Sequence, residues 1–120
     1  MRILITGSRD WTDYDTIHKA IGEAWLTYGR PYATVVVHGK AKGADYLSGV
    51  AAKRMGFTVE EHPADWSFGK VAGYLRNKEM VDAGADVCLA FIKNNSKGAT
   101  MCADLAGKAG IPVHIWREDA

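Results

Sequence analysis

Residues 35–45 read "VVVHGKAKGAD", in which three β-branched residues run directly into a loop with two glycines and two lysines. Residues 3–11, "ILITGSRDW", have the same form, with a short apolar run before a glycine and polar side chains. A short apolar run that ends in a glycine-containing turn is typical of a buried strand that leads into a helix. Both stretches therefore predict strand-to-helix junctions.

Similar apolar runs recur along the chain. Strands are predicted at residues 2–6, 33–37, 57–61, 86–91 and 111–116. Strictly alternating strands and helices imply parallel strands joined by right-handed crossovers. Continuous apolar strands imply helices on both faces of the sheet. The sequence predicts an α/β fold, a three-layer Rossmann-like sandwich of about five parallel strands, in the order 3-2-1-4-5 or, alternatively, the flavodoxin-like order 2-1-3-4-5.

Four helices are predicted between these strands. Thr12 or Asp13 caps the first, which ends before Gly29. The second begins near Ala44, the third covers roughly residues 70–83, and the fourth carries Cys102. Ligands of such folds bind beyond the carboxyl ends of the strands, so the loops at that edge are the candidate site.

Length and composition limit the possible classes of protein. The 120 residues favour one domain over residues 1–120. A net charge of +1 gives no strong nucleic-acid signal, and neither a membrane span nor a secretion signal is predicted. Cys88 and Cys102 are expected to be buried free thiols, which suits a cytoplasmic protein. No cofactor is predicted.

The loops after strands 1, 2 and 4 each place a glycine before a helix, with a hydroxyl or a cation nearby. Glycine lets the backbone approach a ligand, and free amides at a helix N-terminus attract anions. The pattern matches neither a Walker A loop nor a GxGxxG fingerprint. It predicts a phosphate or ribose pocket. Lys40 and Lys42 are alternatively solvated loop charges, and Asp45 either stabilises a helix start or orients Arg9 or a ribose hydroxyl.

Four further side chains lie in or near these loops. Trp11 and Trp66 either stack on a base or cover the core. His38 and His62 occur one per loop, without Cys or carboxylate partners at metal-ligand spacing. No metal site is therefore predicted.

Arg76 shares a helical stripe with apolar residues, since Ala72, Met80 and Ala83 lie on the same face of the third helix. An inward-facing guanidinium needs an anionic partner. One hypothesis is a phosphate of the ligand. The alternative is a salt bridge within the protein, to Asp10, Asp45 or Asp65.

Six stretches, in order, carry a resemblance to a known family: "GSRDW", "VVHGKAKGAD", "HPADW", "GKVAGYLRNKEM", "GADVCLAF" and "AGIPV". Together they resemble the YspA-like branch of the SLOG superfamily over nearly the whole chain. That superfamily is Rossmann-like and binds nucleotides or their derivatives. It includes the DNA-processing protein DprA and the LOG phosphoribohydrolases, which cleave the N-glycosidic bond of nucleoside monophosphates.

The resemblance implies roles for particular residues in the loops and the third helix. The LOG enzymes have a catalytic glutamate after their fourth strand, but Cys102 stands at that position here, and Ala99 replaces a threonine unless Thr100 substitutes. A thiol in an apolar stripe is a poor general acid or base near neutral pH. No catalytic residue is assigned. The predicted nucleotide-binding and phosphate-binding residues are Gly7, Ser8, Arg9, Asp10, Gly39, Lys42, Gly43, Asp45, Arg76, Asn77, Gly98 and Thr100.

Three functions remain open from the sequence. The first is a module that binds a nucleotide-like ligand such as AMP, NAD or ADP-ribose, as a sensor, carrier or sequestering protein. The second is an N-glycosidic hydrolase or transferase with Asp10, Asp45 or Asp65 as its acid or base. The third is an interaction domain with a vestigial pocket. A homodimer is expected, because the third and fourth helices form dimer contacts in the LOG relatives.

Overall fold

The computed structural model describes residues 1–118. Five strands form one parallel sheet in the order β3-β2-β1-β4-β5, which confirms the first predicted order and excludes the flavodoxin-like one. The strands are β1 (Arg2–Gly7), β2 (Val35–His38), β3 (Thr58–Glu61), β4 (Val87–Lys93) and β5 (Val113–Glu118). The helices are α1 (Tyr14–Thr27), α2 (Ala44–Arg54), α3 (Ala72–Asp82) and α4 (Lys97–Lys108), with a 3-10 helix at Trp66–Val71.

The helices cover both faces of the sheet, as predicted. Ile3 and Ile5 of β1 pack in one core cluster with Ile17 of α1 and Ala51 of α2. Leu4 points the other way and packs with Met80 of α3 and with Cys102 and Ala106 of α4. Neighbouring residues of one strand thus serve two cores, which explains the continuous apolar runs.

The segment between β3 and α3 differs from the prediction. Residues 66–69 were expected in a loop and the helix was expected to begin near residue 70, but residues 66–71 form a 3-10 helix. The carboxylate of Asp65 caps it by accepting hydrogen bonds from the Ser67 amide (3.1 Å) and hydroxyl (2.6 Å). Gly69, with a φ of 70°, interrupts the helical conformation, so that α3 begins only at Ala72.

Other boundaries moved by one or two residues. The second strand begins at Val35 rather than residue 33, and the fourth extends to Lys93. Asp13 is the cap of α1, because its carboxylate accepts from the Thr16 amide at 3.1 Å. No helix in residues 1–118 has the length and apolar character needed to cross a membrane.

The carboxyl ends of the central strands lie side by side. Gly7 of β1 is opposite Phe91 of β4, and His38 of β2 is opposite Glu61 of β3. This register brings the loops after β1, β2 and β4 together at one edge of the sheet.

Candidate functional site

A cavity of about 620 Å³ opens at this edge. Small-molecule sites commonly measure about 300–1,000 Å³, so its size suits a nucleotide-like ligand. An adjoining cleft of about 350 Å³ shares Arg9, Trp66 and Arg76 with it. The cavity is lined by Thr6, Gly7, Arg9, Asp10, Ala41, Asp45, Trp66, Lys70, Gly73, Tyr74, Arg76, Asn77, Met80, Lys93, Asn94, Ser96, Gly98, Ala99 and Met101.

Most of the residues predicted from the sequence meet here. The cavity lining includes Gly7, Arg9, Asp10, Asp45, Arg76, Asn77 and Gly98. Gly39 and Lys42 line the adjoining cleft. The other three predicted residues, Ser8, Gly43 and Thr100, line neither the cavity nor the adjoining cleft.

These three residues hold the surrounding framework instead. The buried Ser8 hydroxyl accepts from the Lys93 amide (2.7 Å) and donates to the Lys93 carbonyl (3.2 Å), which ties the first loop to the end of β4. A Cβ on Gly43 would lie 2.4 Å from the Ser8 carbonyl oxygen, so glycine is needed where α2 meets that loop. The Thr100 hydroxyl donates to the Ser96 carbonyl at 2.7 Å.

Asp45 organises the loop after β2 from within. Its side chain is only 5% exposed, and its Oδ2 accepts from the amides of Gly39 (3.1 Å) and Ala41 (3.3 Å). The Lys40 amide donates to His38 Nδ1 at 2.9 Å. The amides of residues 39–41 are therefore used by the protein, and they are not free to cradle a phosphate as the glycine pattern suggested.

Arg76 reaches back across the site from α3. Its Nη1 donates to the Gly39 carbonyl (2.6 Å) and its Nε to the Asn77 Oδ1 (2.7 Å). A Cβ on Gly39 would lie 2.3 Å from Nη1, so glycine lets the guanidinium lie against the loop. In the described part of the chain, no carboxylate lies within 4.0 Å of Arg76. The salt bridge considered from the sequence, to Asp10, Asp45 or Asp65, is not formed.

The N-terminus of α4 forms another wall. Ser96 occupies the capping position, but its side chain makes no capping hydrogen bond. Within residues 1–118, the amides of Lys97, Gly98 and Ala99 have no hydrogen-bond acceptor. Gly98 and Ala99 line the cavity, so free amides and the positive end of a helix dipole adjoin it.

The charges around the cavity favour an anion. Four cationic side chains line it, those of Arg9, Lys70, Arg76 and Lys93, compared with only two carboxylates, those of Asp10 and Asp45. Lys93 is partly compensated, since its Nζ lies 3.6 Å from Glu118 Oε1. A local positive excess therefore exists on a chain whose net charge is only +1.

Burial raises the pKa of Asp45 from its ordinary 3.8 to about 6. The hydrogen bonds from Ala41 and Gly39 and the charges of Arg76 and Arg9 oppose this shift without cancelling it. Asp45 therefore changes its charge near neutral pH, in the wall of a cavity that favours anions.

The two tryptophans near the rim have different roles. Trp11 is buried and lies edge-on to Phe91, with ring centroids 5.5 Å apart, so it belongs to the core. Trp66 is 58% exposed and carries the Arg9 guanidinium 5.6 Å above its ring. Of these two tryptophans, Trp66 is the one available to stack on a ligand.

Cys102 is shielded from the cavity. It lies on the buried face of α4, fully enclosed in a core cluster, and is absent from the cavity lining. Burial raises the pKa of its thiol to about 11. It has neither the access nor the acidity that a general acid would need.

Some lining residues were missed from the sequence: Lys70, Tyr74, Lys93 and Ser96. Lys93 would have been found if the fourth strand had been extended by two residues. Lys70 and Tyr74 enter because the 3-10 helix brings the start of α3 to the rim, which periodicity alone does not show. No group of three or more metal-ligating side chains is found in the described chain.

The sheet order and the position of the cavity place the protein in the Rossmann-like class of α/β proteins. Within it, the chain belongs to the YAcAr family, the YspA, cpYpsA-related SLOG family, whose model matches residues 1–69. The resemblance to the YspA-like branch is thereby confirmed. The chain is also 49% identical to the Gene 61 protein of Mycobacterium phage D29, with 93% of each chain covered. No solved structure matches it.

Proposed function

We propose that the protein binds a nucleotide or a nucleotide derivative and acts as a sensor, carrier or sequestering protein. One observation carries the proposal: the unpaired amides of Gly98 and Ala99 adjoin a cavity lined by four cationic side chains. Free helix-terminal amides together with guanidinium groups are the usual protein ligands of a phosphate. The phosphate is placed between the start of α4 and Arg76.

The rest of the nucleotide has suitable neighbours. Trp66 and Tyr74 offer aromatic faces at the rim, where a base can stack. Asp10 and Asp45 offer carboxylate oxygens for ribose hydroxyls. In the described part of the chain, the hydrogen bonds that the Asp45 side chain accepts use Oδ2, which leaves Oδ1 for a ligand.

A thermal-shift series with AMP, ADP, ADP-ribose, NAD and cyclic AMP tests the proposal. A ligand present at 100 times its dissociation constant should stabilise the fold by about 2.7 kcal/mol. Arg76→Ala should reduce the shift, whereas Lys78→Ala, on the same helix but paired with Asp82 outside the cavity, should keep it. The absence of any shift across the series would favour the interaction domain with a vestigial pocket.

A second candidate function is hydrolysis or transfer at the N-glycosidic bond of a nucleoside monophosphate. It is supported by Asp45, a buried carboxyl with a pKa of about 6 in the cavity wall, near the pKa that acid–base catalysis requires. Asp65, also considered as the acid or base, is exposed and caps the 3-10 helix, outside the cavity lining.

Chromatography of AMP incubated with the protein separates the two functions. We expect little or no adenine and ribose 5-phosphate, because Cys102 stands where the LOG enzymes carry their glutamate. Robust release that disappears in Asp45→Asn would establish the enzyme and overturn the binding module.

We also propose that a second copy of the chain covers the 3-10 helix and α3. Phe68, Val71 and Leu75 are exposed there and belong to none of the core clusters of the described chain. Tyr74 is exposed on the same helix and lines the cavity, so a partner docked on this surface would lie at the cavity rim.

Light scattering at micromolar concentration should give a dimer mass. Leu75→Glu should give a monomer, and Leu26→Glu, at an exposed position of α1, should not.

The two cysteines give an indication of the cellular compartment of the protein. Cys88 and Cys102 are free, and burial raises the pKa of both thiols, to about 12 and about 11. Free thiols suit a reducing environment. We propose a cytoplasmic location, which cell fractionation would test.

A further inference from the structure

A second cavity, of about 600 Å³, lies between the end of β2, the strand β3 and α2. Ala41 lines both this space and the first cavity, so the loop after β2 forms part of each wall. The other residues of the second cavity are absent from the lining of the first. Lys40 and Lys42 also line the cleft that adjoins the first cavity, but the remaining residues of the second cavity have no part in the nucleotide proposal.

His38 presents an unsatisfied donor to the second cavity. Its side chain is only 4% exposed, and its Nδ1 accepts the Lys40 amide hydrogen at 2.9 Å. Because Nδ1 accepts a hydrogen bond, the ring proton lies on Nε2, and burial lowers the pKa of His38, which favours the neutral ring. The nearest carboxylate oxygen, Glu61 Oε2, is 4.0 Å from Nε2, which is beyond hydrogen-bond distance. Within residues 1–118, this N–H has no acceptor within hydrogen-bond distance, and among the described side chains Nε2 is not one of the fully enclosed unpaired atoms.

Gly49 keeps the approach to His38 open. It lies inside α2, where glycine is an unfavourable helix residue. A Cβ at this position would lie 2.9 Å from His38 Nε2. The space left by the missing side chain of Gly49 therefore lies next to Nε2, the ring nitrogen of His38 that has no acceptor in the described chain.

The charges around the second cavity are mainly positive. Lys40, Lys42 and Lys53 line it against the one carboxylate of Glu61. None of these lysines forms an ion pair in the described part of the chain. Tyr46 is exposed at the same wall and offers an aromatic face.

We propose that this second cavity is a binding site for a small organic oxyanion, a phosphate monoester or a carboxylate, whose oxygen accepts from His38 Nε2 while the lysines balance its charge. The body of the ligand packs against Tyr46 and the apolar wall of Val50 and Val59. The ligand is anionic because three lysines outnumber the one carboxylate of the lining, and its oxygen can accept from Nε2 because this donor has no acceptor in the described chain.

Two-dimensional NMR titrations with phenyl phosphate, benzoate and benzyl alcohol test the site. The three probes share a ring and differ in the group offered to His38. One or both anions should shift the His38 ring signal and the amides of Gly49 and Val59, whereas benzyl alcohol should not. Shifts with phenyl phosphate alone indicate a phosphate ligand, and shifts with benzoate a carboxylate. The proposal is overturned if neither anion shifts these signals or if benzyl alcohol shifts them equally.

Gly49→Ala supplies the matched variant. Its methyl group blocks Nε2 without removing the Nδ1 bond, and alanine favours the helix, so the fold should persist. Anion affinity should fall about tenfold, the effect of one lost hydrogen bond. Gly22→Ala is the control, because it lies in α1 and its Cβ would meet nothing within 4 Å. Equal affinity in both variants would refute the site.

Lys53→Gln gives an independent measurement that leaves His38 untouched. It removes one charge from the wall and should weaken anion binding about threefold, with a smaller loss at high salt. Unchanged affinity at low salt would contradict an oxyanion site lined by these lysines.

Discussion

The junctions after β2 and β4 both lead from a parallel strand into a helix with a glycine nearby, in the loop at Gly39 and Gly43 and in the first turn of α4 at Gly98, yet they use their backbone differently. In the loop after β2, the amides of Gly39 and Ala41 donate to Asp45 and that of Lys40 donates to His38. After β4, the first amides of α4 have no acceptor in the described chain. The amides of the loop after β2 are therefore bound by the protein's own side chains, whereas the first amides of α4 are available to an external anion.

The glycines differ in the same way. Gly43 has a φ of 70° and is held between the backbones of Ser8 and Arg9, so it serves the packing of two loops. A Cβ on Gly98 would meet nothing within 4 Å. Glycine therefore makes a structural contact in the loop after β2 and leaves open space in the first turn of α4.

Alanine at these two positions should give the largest contrast. Gly43→Ala should lose about 3 kcal/mol of unfolding free energy, from the left-handed backbone and the clash with the Ser8 carbonyl. Gly98→Ala should change it by less than about 0.5 kcal/mol. Urea denaturation measures both. Similar losses in the two variants would remove the distinction between a closed loop and an open one.

Titration of Asp45 should make the closed loop depend on pH. Its pKa is raised in the folded state, so the folded protein holds its proton more tightly than the unfolded chain and loses stability as the pH rises from about 4 through 6. Two pKa units correspond to at most about 3 kcal/mol. Asp45→Asn should lack this dependence.

The measurement is the difference in unfolding free energy between wild type and Asp45→Asn at pH 4 and pH 7. The variant should gain on the wild type as the pH rises. A constant difference would show that Asp45 titrates in the fold as it does in the unfolded chain.

Arg76 donates to the loop after β2 and lines the cavity together with Gly98 of α4, and it should affect binding more than folding. Arg76→Ala should weaken nucleotide binding by about 2 kcal/mol, roughly 30-fold, and Arg76→Lys should weaken it less. The fold should lose only about 1 kcal/mol, since the guanidinium bonds to a carbonyl and an amide rather than to a buried carboxylate. Calorimetric affinity and melting temperature of the same variant decide the matter. A large fall in melting temperature with unchanged affinity would end the phosphate role.

The smallest effect is expected at Thr100. Thr100→Val should change nucleotide affinity by less than about twofold, because its hydroxyl already donates to the Ser96 carbonyl. Calorimetry with the ligand found by thermal shift makes the comparison. A strong loss would mean that the hydroxyl turns from Ser96 to the ligand, so that α4 offers more than its amides.

The fold could be predicted almost completely from the sequence. The five apolar runs reappear as five strands in the predicted order, because the burial of a parallel sheet on both faces leaves a clear sequence pattern. The 3-10 helix could not be predicted in this way. It depends on the Asp65 cap and on the backbone of Gly69, neither of which alters the periodicity of apolar residues.

The site could be predicted in position but not in detail. Topology places strand-end loops at one edge, so most of the chosen residues meet at the cavity or its cleft. Which backbone amides remain free depends on the orientation of side chains such as Asp45, and this orientation cannot be predicted from the sequence. For the same reason, the sequence could not show that the Ser8 hydroxyl is hydrogen-bonded to the backbone of Lys93.

The central position of β1 has a consequence for synthesis of the chain. Its neighbour β2 follows within the first third of the sequence, but its other neighbour, β4, follows only after β3 and α3. At about 5–20 residues per second, a ribosome leaves the apolar edge of Ile3, Leu4 and Ile5 without its second partner for seconds. Unpaired apolar edges invite aggregation, so nascent chains that end between residues 61 and 87 are the form of this protein with the greatest need of a chaperone.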